Sequence, residues 1–334
     1  MNDFKAIFEA IDAAETIVIT SHKSPDGDSV GSSMGLYHFL KKINKKVTVV
    51  HPDRAPAYIS WVEDYDEVVF FDEHEGHAVA ALTNCDLLIG LDYNTPSRVG
   101  DEMQAVLLEA KAKKIMIDHH LHPALDFFDF LYSDTSAGST SELIVKFINE
   151  NGFADLLDKQ IGTPLYLGIM TDTGSFRFPS MKAETHEMIA QLMRAGVVHF
   201  DVHEKVFDTN TVERLKLRGF ALSEKLEILP SFPVAIISLS EEELERFNYQ
   251  KGDTEGLVNI ALSIEGIQVA AFFAEKEGKV KISFRSKGAY EVNQLSADNF
   301  AGGGHKYAAG GICFDALEVA VDRFKSVLSN YFPN

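Results

Sequence analysis

Between Thr16 and Ile117 the chain alternates short apolar runs with polar or amphipathic stretches, and this alternation restricts the fold more than any other feature. The runs are Thr16–Thr20 (TIVIT), Val47–Val50 (VTVV), Val68–Phe71 (VVFF), Asp86–Leu91 (DLLIGL) and Ile115–Ile117 (IMI). They are rich in β-branched residues and lack the in–out alternation of a strand with one wet face. Each therefore reads as a strand buried on both sides. Ser29–Lys42 and Asp101–Lys113 read as helices between them. Strand-then-helix order predicts an α/β fold with a parallel sheet covered on both faces. Ligands of such sheets collect at the carboxyl ends of the strands.

From Gly138 to Lys225 the pattern turns helical, with candidates at Ser139–Asn151, Asp155–Met170, Lys182–Ala195 and Val212–Lys225. Strands return at Val234–Leu239, Ile267–Ala274, Lys279–Arg285 and Ile312–Phe314, with helices at Thr254–Ser263, Val292–Asn299 and Leu317–Tyr331. The expected organisation is a parallel-sheet domain over 1–195, a helical connector over 196–225 and a smaller α/β domain over 226–334. A length of 334 residues suits two domains. No run reaches the ~18 apolar residues of a membrane span, and the acidic N-terminal stretch has no signal-peptide pattern. Two distant cysteines, Cys85 and Cys313, make no disulfide framework, so a reducing, cytoplasmic setting is expected. A net charge of −19 argues against a long duplex nucleic-acid partner. It is compatible with a small anionic substrate if bound cations reverse the local field.

Four polar motifs follow the apolar segments. Ser21-His22-Lys23-Ser24-Pro25-Asp26-Gly27-Asp28-Ser29 leaves the strand TIVIT and opens a helix. Its Pro and Gly make an irregular loop that can aim His22, Asp26 and Asp28 at one point, although Asp28 or Ser29 could equally be a helix cap. Asp92 stands at the end of a strongly apolar strand, Asp86–Leu91, where an ordinary turn would also accept it. Asp118-His119-His120 closes the strand IMI, and adjacent histidines point in different directions. Asp172, in Thr171–Phe176, follows a helix-like run and could simply make a turn. Together the motifs place two His and four Asp at the loop ends of one sheet. Crowded carboxylates repel each other unless a cation lies among them. Mixed nitrogen and oxygen donors suit a divalent first-row ion such as Mn²⁺. Six donors exceed what one ion needs, whereas two ions ~3.5–4 Å apart would use them all.

This ordered set, His22-x-x-Pro25-Asp26-x-Asp28, Asp92, Asp118-His119-His120 and Asp172, resembles the DHH phosphoesterase superfamily. Ser283-Phe284-Arg285-Ser286, followed by Gly302-Gly303-Gly304-His305 and Ala308-Ala309-Gly310, resembles its DHHA1 domain. The likeness spans nearly the whole chain and is closest to the bacterial oligoribonuclease and phosphoadenosine-phosphate phosphatase group. It implies one metal on His22, Asp26 and Asp92 and another on Asp28, Asp92, His119 and Asp172, with Asp92 bridging. His120 would face the scissile phosphate and Asp118 would orient a ligand. Arg285 and His305, with Ser286 and the glycine run Gly302, Gly303 and Gly304, would bind substrate; N–H groups of that run, opening onto a helix, can cradle phosphate. Arg98, Arg177 and Lys306 are weaker candidates for phosphate contacts. The expected activity is metal-dependent hydrolysis of short oligoribonucleotides, and of phosphoadenosine phosphate to AMP. Linear or cyclic dinucleotides rank next as substrates, then pyrophosphate or polyphosphate. The expected partners are short RNA or small nucleotides and no membrane, with a homodimer left open. The rival from another class, a nucleotide-binding protein with a dead site, would show a lost ligand position, and all six are present.

Overall fold

In this computed structural model, which describes residues 3–331, the chain forms two compact bodies that divide between Thr209 and Asn210, inside the stretch read as the connector. The first contains, in order, α1 (Phe4–Ala13), β1 (Thr16–Thr20), α2 (Gly27–Lys42), β2 (Lys46–His51), β3 (Val69–Phe70), α3 (Glu75–Asn84), β4 (Leu87–Leu91), α4 (Asp101–Glu109), β5 (Lys113–Asp118), β6 (Phe130–Ser133), α5 (Thr140–Glu150), α6 (Lys159–Asp172), α7 (Ala183–Arg194) and α8 (His199–Phe207). Its strands lie in the order β3-β2-β1-β4-β5-β6, all parallel. This is a doubly wound sheet whose order reverses between β1 and β4. Side chains of one strand face serve one core and those of the other face a second. Ile17 and Ile19 of β1 pack with α1, α2, α5 and α6. Val18, between them, packs with α3 and α4. The strand reading was thus correct in kind. The sequence reading missed α1, α3, α8 and the edge strand β6, and it ran the second helix four residues too far, into the residues that begin β5.

Helix α2 is surrounded. Every residue from Gly27 to Leu40 is buried, so this helix has no wet face and no amphipathic signature. It crosses α6 at very close range. A β-carbon added at Gly31 would lie 2.5 Å from the Pro164 carbonyl oxygen and 2.8 Å from the Gly168 nitrogen. One added at Gly168 would lie 1.9 Å from Ser141 Oγ and 2.8 Å from Asp28 Oδ1. Side-chain-free positions on both helices let the backbones approach. That approach brings the end of α6 beside the start of α2.

The second body contains α9 (Val212–Ser223), β7 (Leu226–Ile228), β8 (Val234–Leu239), α10 (Glu241–Arg246), α11 (Leu257–Leu262), β9 (Val269–Lys276), β10 (Lys279–Ser286), α12 (Asn293–Asn299), β11 (Gly303–His305), β12 (Ala308–Cys313) and α13 (Leu317–Tyr331). Its mixed sheet has the order β11-β12-β10-β9-β8-β7, with β8 and β9 parallel and the other pairs antiparallel. Leu217 and Ala221 of α9 pack with α11 on one face of the sheet, and α12 and α13 cover the other. No helix among the described residues is long and apolar enough to cross a membrane.

The α2–α6 crossing gives a direct test. Gly31→Ala is expected to destabilise the protein by about 1–3 kcal/mol, because the added methyl meets backbone that cannot yield. Gly76→Ala, in α3 where an added β-carbon meets nothing, should be neutral or stabilising by up to about 1 kcal/mol. Urea denaturation of both variants checks the pair.

Candidate metal centre

Three strand ends and two helix ends meet at the point where the sheet order reverses. His22 lies two residues past β1, Asp92 directly follows β4, and His119 directly follows β5. Ser21 Oγ donates to the Leu91 carbonyl at 3.1 Å, and the Thr20 and Tyr93 hydroxyls are 2.7 Å apart, so the ends of β1 and β4 are tied together. Asp26 and Asp28 come from the start of α2, and Asp172 is the last residue of α6. The structure thus brings all six sequence-chosen residues into one cluster.

Each is held for a local reason. Asp26, rather than Asp28 or Ser29, is the N-cap of α2: its Oδ1 accepts from the Asp28 and Ser29 amides, each at 3.0 Å. Its Oδ2 faces His22 Nε2 at 3.7 Å. Asp28 lies within the first helical turn and is 1% exposed. Its oxygens accept from the backbone amides of Thr140 at 2.6 Å and Ser141 at 2.8 Å. Those amides open helix α5, whose unpaired N–H groups and dipole favour a carboxylate. Asp92 has φ 62°, in the left-handed region, a conformation Asp tolerates better than most residues. Its Oδ2 lies 3.3 Å from His22 Nε2 and its Oδ1 3.6 Å from His119 Nε2. One carboxylate therefore faces both halves of the cluster.

Donor atoms converge in two groups, His22, Asp26 and Asp92 in one and Asp28, His119 and Asp172 in the other, each within 4.8 Å. His22 Nδ1 is 3.0 Å from the Lys23 carbonyl and His119 Nδ1 is 3.3 Å from the Ala137 carbonyl. A carbonyl can only accept, so each Nδ1 carries the proton and each Nε2 turns toward carboxylate oxygens. A neutral imidazole would there set lone pair against lone pair, and a cation between them removes the conflict. Asp26 and Asp172 have the more open side chains, 54% and 32% exposed, and mark the accessible side of the cluster.

The electrostatics agree. Burial, then the Asp92 and Asp172 charges, push the Asp28 pKa well above the usual carboxylate range. Burial raises that of Asp172, against the pull of His119 and with help from Asp26 and Asp92, to about 6. Burial acts to lower His22, but Asp26 and Asp92 outweigh it and raise the imidazole to about 10. Burial likewise opposes protonation of His119, which Asp92, Asp172 and Asp28 hold well above its ordinary value. Four acids packed this tightly demand positive charge. The donor set, with nitrogen and carboxylate oxygen mixed, fits divalent first-row cations.

Asp118 and His120 form a subsidiary pair. His120 Nδ1 lies 2.7 Å from Asp118 Oδ1, and Asp118 Oδ2 accepts from the His120 amide at 3.0 Å. Asp118 is fully buried, so it fixes the ring plane of His120 beside Asp92, 3.7 Å away. Sequence reasoning missed Thr140, whose Oγ1 donates to Asp92 Oδ1 at 3.1 Å. The available signal was the helix start Ser139-Thr140-Ser141-Glu142, a capping pattern on a predicted helix.

The second body holds the remaining candidates. Arg285 is half-buried at the end of β10, with its Nη1 donating to the Phe284 carbonyl at 3.0 Å. Ser286 is buried; its amide donates to the Tyr307 carbonyl at 3.0 Å, and its Oγ has no hydrogen-bond partner among the described residues. The glycine run corrects the sequence reading. Gly303–His305 is strand β11 in a tight hairpin with β12, and it opens onto no helix. Gly302 is required by contact instead: a β-carbon there would lie 2.0 Å from the Gly310 carbonyl oxygen and 2.4 Å from Ser296 Oγ. Gly304, at φ 134°, has its own reason. Among the weaker candidates, Lys306 pairs with Glu291 at 2.6 Å and Arg177 Nε donates to the Gly174 carbonyl at 2.7 Å, while Arg98 is the basic residue of the short 3-10 turn Pro96–Val99.

The family described as DHH family, N-terminal domain, matches residues 16–169, and the DHHA1 domain matches 232–332. A probable bifunctional oligoribonuclease and PAP phosphatase NrnA from Streptococcus mutans is 31% identical, over 95% of this chain and 96% of its own. The crystal structure of an exopolyphosphatase-related protein from Bacteroides fragilis superposes with a TM-score of 0.93 at 38% identity, covering 99% of this chain and 96% of that one. The cyclic-di-AMP phosphodiesterase PdeA of Listeria monocytogenes is 26% identical over 90% of this chain but 45% of its own. The chain therefore belongs to the DHH family, carries a DHHA1 domain as its second body, and is a hydrolase of phosphoester bonds.

Proposed function

We propose that the protein is a two-metal phosphoesterase that cuts short oligoribonucleotides to mononucleotides and phosphoadenosine phosphate to AMP. The observation that carries the two-metal reading is the placement of Asp92, one oxygen toward the His22 group and the other toward the His119 group. His22, Asp26 and Asp92 would hold one ion. Asp28, Asp92, His119 and Asp172 would hold the other, and Mn²⁺ suits the donors. Two bound divalent ions supply Lewis-acid charge and make water acidic enough to serve as a nucleophile near neutral pH. The protein's own part is preorganisation. Lys23 and Ala137 carbonyls hold the two imidazoles, the α5 amides hold Asp28, and Asp118 holds His120 toward the phosphate as a contact or proton donor. Arg285 and His305 would bind a substrate phosphate, with Ser286 and the Gly302, Gly303 and Gly304 backbone beside them.

The resemblance to the oligoribonuclease from Streptococcus mutans along both chains supports these substrates over the alternatives. A dinucleotide phosphodiesterase is the second reading, favoured by the likeness to PdeA. The two free cysteines, Cys85 half-buried and Cys313 buried, suit a cytoplasmic location.

A Mn²⁺ assay of a short RNA, phosphoadenosine phosphate, a cyclic dinucleotide and pyrophosphate tests the substrate class. Mononucleotide from RNA and AMP from phosphoadenosine phosphate are expected to dominate, and a chelator should abolish both. Turnover confined to pyrophosphate would refute the proposal. Asp92→Ala should lower kcat by about a hundredfold or more, since it removes the carboxylate that faces both ions.

Metal also reports on stability. At a Mn²⁺ concentration a hundred times Kd, binding to the native state alone adds about 2.7 kcal/mol. Differential scanning calorimetry should therefore show an upward Tm shift for the wild type. The shift should be smaller in an Asp28→Asn, His119→Ala double variant, which keeps only the His22, Asp26 and Asp92 group.

A further inference from the structure

The stretch Asp134–Glu142, between β6 and the first turn of α5, supplies none of the six clustered side chains yet touches three of them. The Ala137 carbonyl lies 3.3 Å from His119 Nδ1. The Thr140 and Ser141 amides donate to the two oxygens of Asp28, and Thr140 Oγ1 donates to Asp92. These contacts are useful only if the turn Ala137–Ser141 keeps its shape, and its glycine, Gly138, gives it no stiffness of its own.

Glu142 provides the stiffness. It is completely buried, a rare environment for a glutamate unless it is paired. A glutamate three residues after a helix cap usually turns back to the cap residue's own N–H. Here Ser139 is the cap, accepting from the Glu142 amide at 3.0 Å, but the Glu142 carboxylate reaches one residue further back. Its Oε2 accepts from the Gly138 amide at 3.1 Å and from Thr185 Oγ1 of α7 at 3.2 Å. Its Oε1 makes no aligned hydrogen bond and is met by the Lys146 ammonium at 3.2 Å. One buried carboxylate thus ties the turn to α7 and to its own helix.

We propose that Glu142 is a positioning residue for the metal centre, fixing the Ala137–Ser141 turn that orients His119, Asp28 and Asp92. The inference rests on the reading of that cluster as a metal site. Groups that hold metal ligands in place typically contribute 10–100-fold in metal affinity. An amide cannot replace this carboxylate cleanly. It turns an N–H toward either the Gly138 and Thr185 donors or the Lys146 ammonium, and both arrangements set donor against donor.

The test is Mn²⁺ titration calorimetry on the full-length protein, paired with a Tm measured in chelator. Glu142→Gln is expected to lower the metal-free Tm, through the donor conflict left in the core, and in addition to weaken Mn²⁺ binding by roughly ten- to a hundredfold at a temperature where the metal-free variant is still folded. Thr140→Val should weaken it too, and Thr140→Ser, which keeps the hydroxyl, should restore it. An unchanged Mn²⁺ affinity in Glu142→Gln would overturn the inference. Should that variant fail to fold, Thr185→Val removes one anchor of the same carboxylate, and wild-type affinity there would overturn it equally. A wild type that takes up no Mn²⁺ would instead overturn the metal-centre reading, and this inference with it.

Discussion

Asp28 is the carboxylate around which the first body is organised. It sits in the first turn of a helix with no exposed face, and both of its oxygens accept backbone amides from the start of α5. A charged group buried this deeply costs several kcal/mol unless its hydrogen bonds are met. The α5 amides meet that demand on one side. On the other side α6 must come close enough to bring Asp172, and it does so only because Gly31 and Gly168 carry no side chain at the crossing. A polar requirement at the site and a steric requirement in the helix layer are therefore one constraint.

The sheet supplies the other half of the geometry. A doubly wound order leaves a crevice where consecutive strands depart in opposite directions, and here that crevice lies between β1 and β4. His22, Asp92 and His119 sit at its rim because each follows the last buried residue of a neighbouring strand. The crowding of acids there is unfavourable for an empty fold. It persists because a cation converts the repulsion into affinity, which is why the site reads as one for metal and phosphate.

Much of this was legible along the chain. Apolar runs without alternation marked the parallel strands, and the polar residues after three of those runs, the ones ending at Thr20, Leu91 and Ile117, marked the site. The edge strand β6 was not legible, because Phe130–Ser133 is short and only partly buried. Helix α1 was legible but missed: Phe4, Ile7, Phe8 and Ile11 recur at helical spacing behind the cap residue Asp3. The local setting of the glycine run Gly302–Gly304, a hairpin strand and not the start of a helix, was not legible for a physical reason. Glycine is equally suited to an open phosphate loop and to the close packing of a hairpin, and sequence does not say which backbone or side chain lies opposite.

The residue types and their order, two His and four Asp after buried segments, followed by the Arg285 and Gly302–His305 motifs, were determined by the sequence alone, since chemistry is carried by side-chain identity. Which atoms face which was decided only by tertiary structure. The left-handed backbone of Asp92 that points its two oxygens to opposite groups, the Thr140 hydroxyl on that carboxylate and the Glu142 anchor behind it all depend on contacts that packing creates. Local sequence encodes no such distance. It is set when helices and strands pack, and only then do modest motifs become a single centre.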